Sequence, residues 1–165
     1  MEFKMLTIAA LLLSACAAFA VASEPAPEFQ KDIKPAELPF ALAGIRSPIR
    51  QARNVVVRDE KSFASLWAEH AKTYDGTVPP APKVDFKKMD VVAVFLGSVS
   101  TGGHTVEIGE IKKTGKKAVV SATHLKPGPG MMVIQSFTSP FAMKAVPKLP
   151  QTVTFEIIEK DRPAK

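Results

Sequence analysis

The chain has little cysteine and few large aromatic side chains. Its 165 residues include one cysteine, one tryptophan and one tyrosine. The cysteine, Cys16, lies near the amino terminus, so the part after residue 22 has no intramolecular disulfide and no thiolate ligand for zinc. About 140 residues follow, and a domain of that size buries roughly two thirds of its unfolded surface without covalent cross-links. We therefore expect one domain that is stabilised by its own hydrophobic core.

The single tryptophan and the single tyrosine both lie away from the lysine pairs. The net charge is +6, and the lysines occur in pairs at Lys87-Lys88, Lys112-Lys113 and Lys116-Lys117. Proteins that bind nucleic acid combine such basic residues with aromatics or with a known motif. We therefore expect no nucleic-acid partner and interpret the lysine pairs as solvated turns and protected strand edges.

The one long apolar run lies at the amino terminus. Lys4 precedes an uncharged stretch that continues to Ala22 and ends in small residues. This pattern predicts a secretory signal peptide over residues 1–22, and therefore an exported protein of the periplasm or the outer-membrane surface. Prolines and charges then alternate over residues 23–39, which predicts a tether before a β-rich domain over residues 40–165.

Two routes of signal processing remain open. Leu13-Ser-Ala-Cys16 resembles a bacterial lipobox, in which Cys16 would be lipidated and become the first residue of the mature chain. The alternative is cleavage after a small-x-small sequence at residues 18–20 or 20–22. Contact with a membrane is therefore expected only through the signal or through a lipid on Cys16.

The remaining sequence predicts about seven strands and one helix. Asp59 is the expected N-cap of a helix with Phe63, Leu66, Trp67 and His70 on one face. Apolar and β-branched residues predict strands over residues 40–45, 54–58, 91–96, 105–112, 117–125, 131–138 and 151–159.

The spacing of these strands predicts the architecture. Most connections are too short for parallel crossovers, so we expect a mainly β (α+β) fold, an antiparallel sandwich or curled sheet with the helix over one side. The strand from Val91 to Leu96 is apolar at every position and should be buried on both faces. Gly115 should form a hairpin turn, and the parity change between Ile108 and Ile111 predicts a bulge near Gly109.

The histidines do not form a catalytic or metal-binding pattern. No two of His70, His104 and His124 have the i, i+4 spacing of a zinc site. His70 and His124 fit packing roles, whereas His104 lies in a loop. The segment after Gly97 is not a nucleophile elbow, because Val99 stands at the serine position. We predict no enzyme, no cofactor and no metal; the alternative is a hydrolase that pairs His104 with a serine or an aspartate.

Glycine and proline are concentrated in two loops, at residues 100–104 and 127–130, and a third segment follows at residues 139–141. These loops are either tight turns or a surface that docks a partner, with Phe141 as an apolar anchor. The candidate partner-binding residues are Thr101, Gly102, Gly103, His104, Pro127, Gly128, Pro129, Gly130, Ser139, Pro140 and Phe141.

Several ordered motifs resemble one known family. They are Val84-Asp-Phe86, Met89 to Gly97, Thr101-Gly-Gly-His104, Pro127-Gly-Pro-Gly130 and Thr138 to Lys148. In this order they are similar to the C-terminal domain of the PrcB family, which is named for a lipoprotein subunit that accompanies and stabilises a surface protease. His104 and Phe141 depart from the family, in which tyrosine is common at both positions. The resemblance implies an exported, non-catalytic accessory domain.

Two functions follow as expectations. The first is an exported accessory module that docks and stabilises an exported partner, with a protease as the partner that the resemblance implies. The alternative is a protease inhibitor that presents glycine-rich loops on a β-sandwich, because Thr101-Gly-Gly is loosely similar to a loop of chagasin-type inhibitors.

Overall fold

The computed structural model describes residues 40–163, which form seven strands and one helix. The predicted signal peptide, Cys16 and the tether lie outside the described residues. In chain order the elements are β1 (Ala41–Gly44), β2 (Arg53–Val57), α1 (Glu60–Ala71), β3 (Met89–Phe95), β4 (Thr105–Thr114), β5 (Lys117–Lys126), β6 (Phe141–Pro147) and β7 (Thr152–Asp161).

The strands form two sheets, which confirms the predicted β-sandwich with one covering helix. One sheet has the order β1-β6-β3-β2, and the other has the order β4-β5-β7. All neighbours are antiparallel except β5 and β7, which run parallel from Lys117 opposite Thr152 to Lys126 opposite Asp161. The expectation of a mainly antiparallel sandwich is therefore confirmed. The pair of β5 and β7 is parallel because β6 crosses to the other sheet between them and so provides the return path.

The helix begins and packs as its sequence predicts. Asp59 caps it, since Oδ1 of Asp59 accepts a hydrogen bond from the backbone N–H of Ser62 at 2.8 Å. Phe63, Leu66 and Trp67 are buried against one face of the four-stranded sheet. Within residues 40–163 no helix is both long enough and apolar enough to cross a membrane.

The strand β3 lies at the centre of three layers. Val91, Ala93 and Phe95 point to the helix, while Val92 and Val94 point to the three-stranded sheet. Successive side chains of a strand face opposite sides. The predicted burial of β3 on both faces is thus confirmed, and its physical reason is a helix layer on one side and a second sheet on the other.

The hairpin between β4 and β5 contains the predicted bulge. Ile108 pairs with Ala122 and Ile111 pairs with Val120, so β4 has one extra residue between these pairs. Because of this extra residue, the side chain of Ile111 points to the same side as that of Ile108, and both pack between the sheets. Gly115 closes the hairpin with a φ of 56°.

One predicted strand is displaced along the chain. The prediction of a strand over residues 131–138 is wrong, because only Thr138 forms a bridge there, to Val99. The strand lies instead at Phe141–Pro147, where β6 is buried on both faces between β1 and β3. Ala, Met and Lys have modest strand propensity, and burial between two partners overrides it.

In the last strand, the sequence pattern predicts that alternate residues face inward, and this is confirmed for two of the three. Val153 and Phe155 are partly buried and pack between the sheets. Ile157 is exposed instead, because β7 lies at the edge of its sheet.

Candidate functional site

The two glycine-bearing loops lie at the same end of the sandwich. Phe95, at the end of β3, pairs with Phe141 at the start of β6. Thr105, at the start of β4, pairs with Leu125 near the end of β5. The β3–β4 connection and the β5–β6 connection therefore emerge side by side, and the structure brings the first two predicted segments together.

Direct contacts join these loops. The N–H of Gly102 donates to the carbonyl of Ile134 at 2.9 Å, and Oγ1 of Thr138 donates to the carbonyl of Thr101 at 2.9 Å. Gly103 has a φ of 84°, and a Cβ there would lie 2.9 Å from Cγ1 of Val133. The glycines therefore permit close packing of one loop on the other.

The second glycine loop is partly covered and partly exposed. Gly128 is buried against the carbonyl of Arg162, which follows β7. Its own carbonyl accepts a hydrogen bond from the N–H of Met131 at 3.2 Å. Pro129 and Gly130 are exposed at the tip of this turn. Only the tip is accessible to a partner.

The third predicted segment is not at the surface. Ser139, Pro140 and Phe141 are buried, and Phe141 is only 5% exposed. Its ring packs against the ring of His70, with 4.1 Å between the centroids. The expected role of Phe141 as an apolar anchor is therefore wrong, since its side chain belongs to the core beneath the helix.

The structure exposes apolar side chains that the sequence analysis assigned to a strand. Met132 is 99% exposed, Ile134 is 59% exposed and Phe137 is 71% exposed. The run Met131 to Ile134 is apolar at every position, which is also typical of a buried strand, so its local pattern does not distinguish this loop from one. We call the surface formed by Thr101, Gly103, Pro127, Pro129, Gly130, Met132, Ile134 and Phe137 the loop face.

A pair of histidines lies beneath the loop face. Nδ1 of His104 is 3.0 Å from Nε2 of His124, which projects from β5. On the far side, Nδ1 of His124 is 3.4 Å from Oε1 of Glu159 on β7, and Oε2 of Glu159 accepts from Nζ of Lys126 at 2.8 Å. The carboxylate favours the tautomer of His124 that carries hydrogen on Nδ1, so Nε2 of His124 accepts the hydrogen bond that Nδ1–H of His104 donates. His124 is thus the partner of His104 as well as a buried residue.

The surroundings of His104 favour its neutral form. Burial lowers the pKa of His104, the charges of His124 and Lys126 lower it further, and the charge of Glu159 opposes them. The hydrogen bond from Lys126, together with its charge, lowers the pKa of Glu159. The His104 ring is therefore stabilised in its uncharged form, in which Nδ1 can donate to His124.

His70 has the packing role that its position on the helix predicts. Its Nδ1 lies 3.0 Å from Oγ of Ser47, and both side chains are buried. Oγ of Ser47 also accepts from the backbone N–H of Ile49 at 3.2 Å. Burial lowers the pKa of His70. The hydrogen bond satisfies a buried histidine and fastens the segment before β2 to the helix.

In the hydrogen bonds of residues 40–163, His104 is joined to His124 and to no serine or aspartate. Across the same residues no group of three or more His, Cys, Asp or Glu side chains is arranged to hold a metal ion. The hydrogen bond between His104 and His124, together with the contact of His124 with Glu159, holds the loop to β5 and β7.

Comparison with known proteins identifies the central part of the chain. The family model described as PrcB C-terminal matches residues 91–147, about a third of the sequence. No curated protein and no solved structure matches significantly. The match runs through β3, β4, β5 and β6 and contains the histidine pair and all of the loop face. Residues 91–147 are therefore similar to the PrcB C-terminal family, as their ordered motifs predict.

Proposed function

We propose that this protein is an exported, non-catalytic accessory module that docks and stabilises an exported partner through the loop face. A protease is the partner type that the family resemblance implies. The observation that carries the proposal is the exposure of Met132, Ile134 and Phe137 on a loop that two other segments hold in place. Apolar side chains clustered on a rigid support are typical of protein-binding surfaces.

The loop face is ordered by contacts between the loops and with β5. Gly102 and Gly103 pack on Ile134 and Val133, Thr138 bonds to Thr101, and His104 is held by His124. Such support lowers the entropy cost of binding, because the loops are arranged before the partner arrives. The family match covers this surface and its support, whereas β1, β2, α1 and β7 lie outside the match.

Replacing the glycines would be a poor test of docking. A Cβ at Gly102 would lie 2.5 Å from Cγ1 of Ile134, and Gly103 has a positive φ, so bulky residues at either position would distort the loops. Met132 and Ile134 are better positions, because both side chains are exposed. Serine at both removes apolar surface and spares the backbone.

The test is affinity capture of a partner by the tagged full-length protein from its native envelope. We expect stoichiometric recovery of one exported protein by the unaltered chain and by a control with Val78→Ser and Ile158→Ser, two exposed apolar residues elsewhere. The variant with Met132→Ser and Ile134→Ser should lose that protein. Equal recovery by all three proteins would remove the loop face from the proposal.

The captured complex also separates the accessory function from inhibition. If the partner is a protease, its activity and its lifetime against self-digestion are measured with and without this chain. An accessory subunit preserves activity and lengthens the lifetime. Loss of activity at equimolar concentration would instead support the inhibitor alternative.

A further inference from the structure

A concave region lies beside the loop face, at the end of α1. It is a groove of about 780 Å³ between the segment that follows β1, the end of the helix and residues 136–139. His70 lies on its floor and is buried. Phe137 lines the groove and also belongs to the loop face. The groove therefore continues the proposed docking surface around one side of the molecule.

The lining of the groove has charge of one sign. Arg46, Arg50 and Lys72 line it and are exposed, and none of its lining residues is acidic. Within residues 40–163 these three side chains form no ion pair. The nearby carboxylate of Asp75 accepts hydrogen bonds from Thr73 and Thr77. Among the described residues that line the groove, the charge is therefore positive only.

Two aromatic rings complete the lining. Tyr74 is fully exposed and Phe137 is 71% exposed, although both are large side chains. The floor adds no charge at neutral pH, because burial lowers the pKa of His70. Arginine combined with exposed aromatic rings is the composition that contributes most to binding energy in protein interfaces.

We propose that this groove binds an extended acidic segment of the exported partner. Carboxylates of that segment would lie against Arg46, Arg50 and Lys72, and an apolar side chain would lie between Tyr74 and Phe137. The inference rests on the proposed docking function, since it names the chemistry that the partner presents.

A peptide fits the groove better than an anionic membrane does. Each Lys or Arg near an anionic membrane contributes about 1 kcal/mol, so three would give only weak attachment. A flat bilayer also cannot follow a concave surface, whereas an extended chain can enter it. The volume of about 780 Å³ lies within the range of pockets that enclose small ligands or a few side chains.

The test is fluorescence anisotropy with the full-length protein and a fluorescein-labelled peptide of glutamates around a central phenylalanine. We expect binding that weakens with salt and falls at least tenfold in the variant Arg46→Glu with Arg50→Glu. A matched control, Lys116→Glu with Lys117→Glu, makes the same change in net charge on the exposed hairpin and should bind as the unaltered chain does. Phe137→Ser should also weaken peptide binding, and because this substitution leaves the net charge unchanged, it tests the apolar part of the groove separately.

Two outcomes would overturn the inference. One is equal loss of peptide binding in the groove variant and the hairpin control, because the effect would then follow net charge. The other is absence of peptide binding together with binding to phosphatidylglycerol vesicles that requires Arg46 and Arg50, which would assign the groove to a membrane surface.

Failure of the groove and failure of the docking function give different results. If the peptide binds the groove but no exported protein is captured, the docking function fails and the chemistry of the groove stands. If the partner is captured equally by the unaltered chain and by the Arg46→Glu, Arg50→Glu variant, and the peptide does not bind, the groove inference fails and the docking function stands.

Discussion

Asp90 shows how a single buried charge is stabilised in this protein. Its side chain is 0% exposed within β3. Its carboxylate accepts from Nη1 of Arg58 at 3.0 Å, from Nζ of Lys148 at 2.7 Å and from the backbone N–H of Leu149 at 2.9 Å. These contacts join β2, β3 and the segment between β6 and β7. A buried carboxylate is stable only when it is paired in this way.

We expect Asp90→Asn to lower the free energy of unfolding by about 2–4 kcal/mol, because two cations lose their counter-charge in a partly buried site. Denaturant titration followed by circular dichroism measures the change. Glu156→Gln is the control, since Glu156 is exposed on β7, and we expect a change within about 0.5 kcal/mol. A loss at Asp90 no larger than that of the control would show that the charge contributes nothing to stability.

The histidine pair makes stability depend on pH. The folded-state pKa of His104 is lowered, so its contribution to stability is present above the unfolded pKa of about 6.5 and is lost as pH falls through the folded value. Below that value a charged His104 ring would be partly buried, with its Nδ1 3.0 Å from Nε2 of His124. His70 contributes in the same direction, because burial lowers its pKa too.

We expect the free energy of unfolding to fall as pH is lowered from about 7 to about 5, above the range in which carboxylates with lowered pKa values titrate. His104→Gln should make this fall shallower and leave the part that belongs to His70. Denaturant midpoints at several pH values provide the measurement. An unchanged slope in the variant would mean that His104 titrates alike in the folded and unfolded chains.

At the scale of elements, strand ends and connections decide which residues can occupy a position. Gly97 follows β3 with a φ of 74°, and a Cβ there would lie 2.7 Å from the backbone nitrogen of Ala52 and 2.9 Å from the carbonyl oxygen of Arg50. Both opposing atoms are backbone, so neither can rotate away. The connection before β2 therefore requires glycine at the end of β3.

We expect Gly97→Ala to destabilise the fold by more than about 2 kcal/mol, since a positive φ and a backbone clash act together. Gly115→Ala is the matched control: its φ is also positive, at 56°, but nothing lies near its Cβ position. It should cost about 1 kcal/mol, the conformational part alone. Thermal or chemical unfolding compares the two, and equal losses would contradict the role of the close approach.

At the scale of the whole molecule, the two central strands of the four-stranded sheet pack against the layers on both sides of it. β3 and β6 send alternate side chains to the helix and to the three-stranded sheet. The helix layer therefore cannot separate without exposing residues next to those that support the other sheet. We infer that the three layers unfold as one cooperative unit.

Trp67 provides a probe of this cooperativity. It is the only tryptophan, and it is buried between α1 and the four-stranded sheet, with Nε1 donating to the carbonyl of Pro79 at 2.8 Å. We expect the midpoint of denaturation from its fluorescence to coincide with that from far-ultraviolet circular dichroism, which is dominated by the strands. Two separate midpoints would show that the helix layer unfolds independently.

Much of this fold could be predicted from short stretches of sequence, because interactions between residues close in the chain determine where the helix and several strands form. The Asp59 cap and the apolar face of α1 depend on residues close in the chain. The unbroken apolar run of β3 and the parity change between Ile108 and Ile111 are likewise visible in the local sequence. The contact between His104 and His124 could also have been predicted from the sequence. The predicted hairpin with its bulge places His124 opposite Val106, which is two residues from His104. The family resemblance rested on ordered motifs and needed no structure.

Only the tertiary structure decided which residues are accessible. Phe141 is buried because β6 inserts between β1 and β3, while Phe137, four residues earlier, is exposed because its loop pairs at a single bridge. The parallel pairing of β5 with β7 likewise depends on β6 joining the opposite sheet. Composition determined that the chain has a core of its own and several β-strands. Contacts between distant segments, which local propensity does not encode, determined the surface that this core presents.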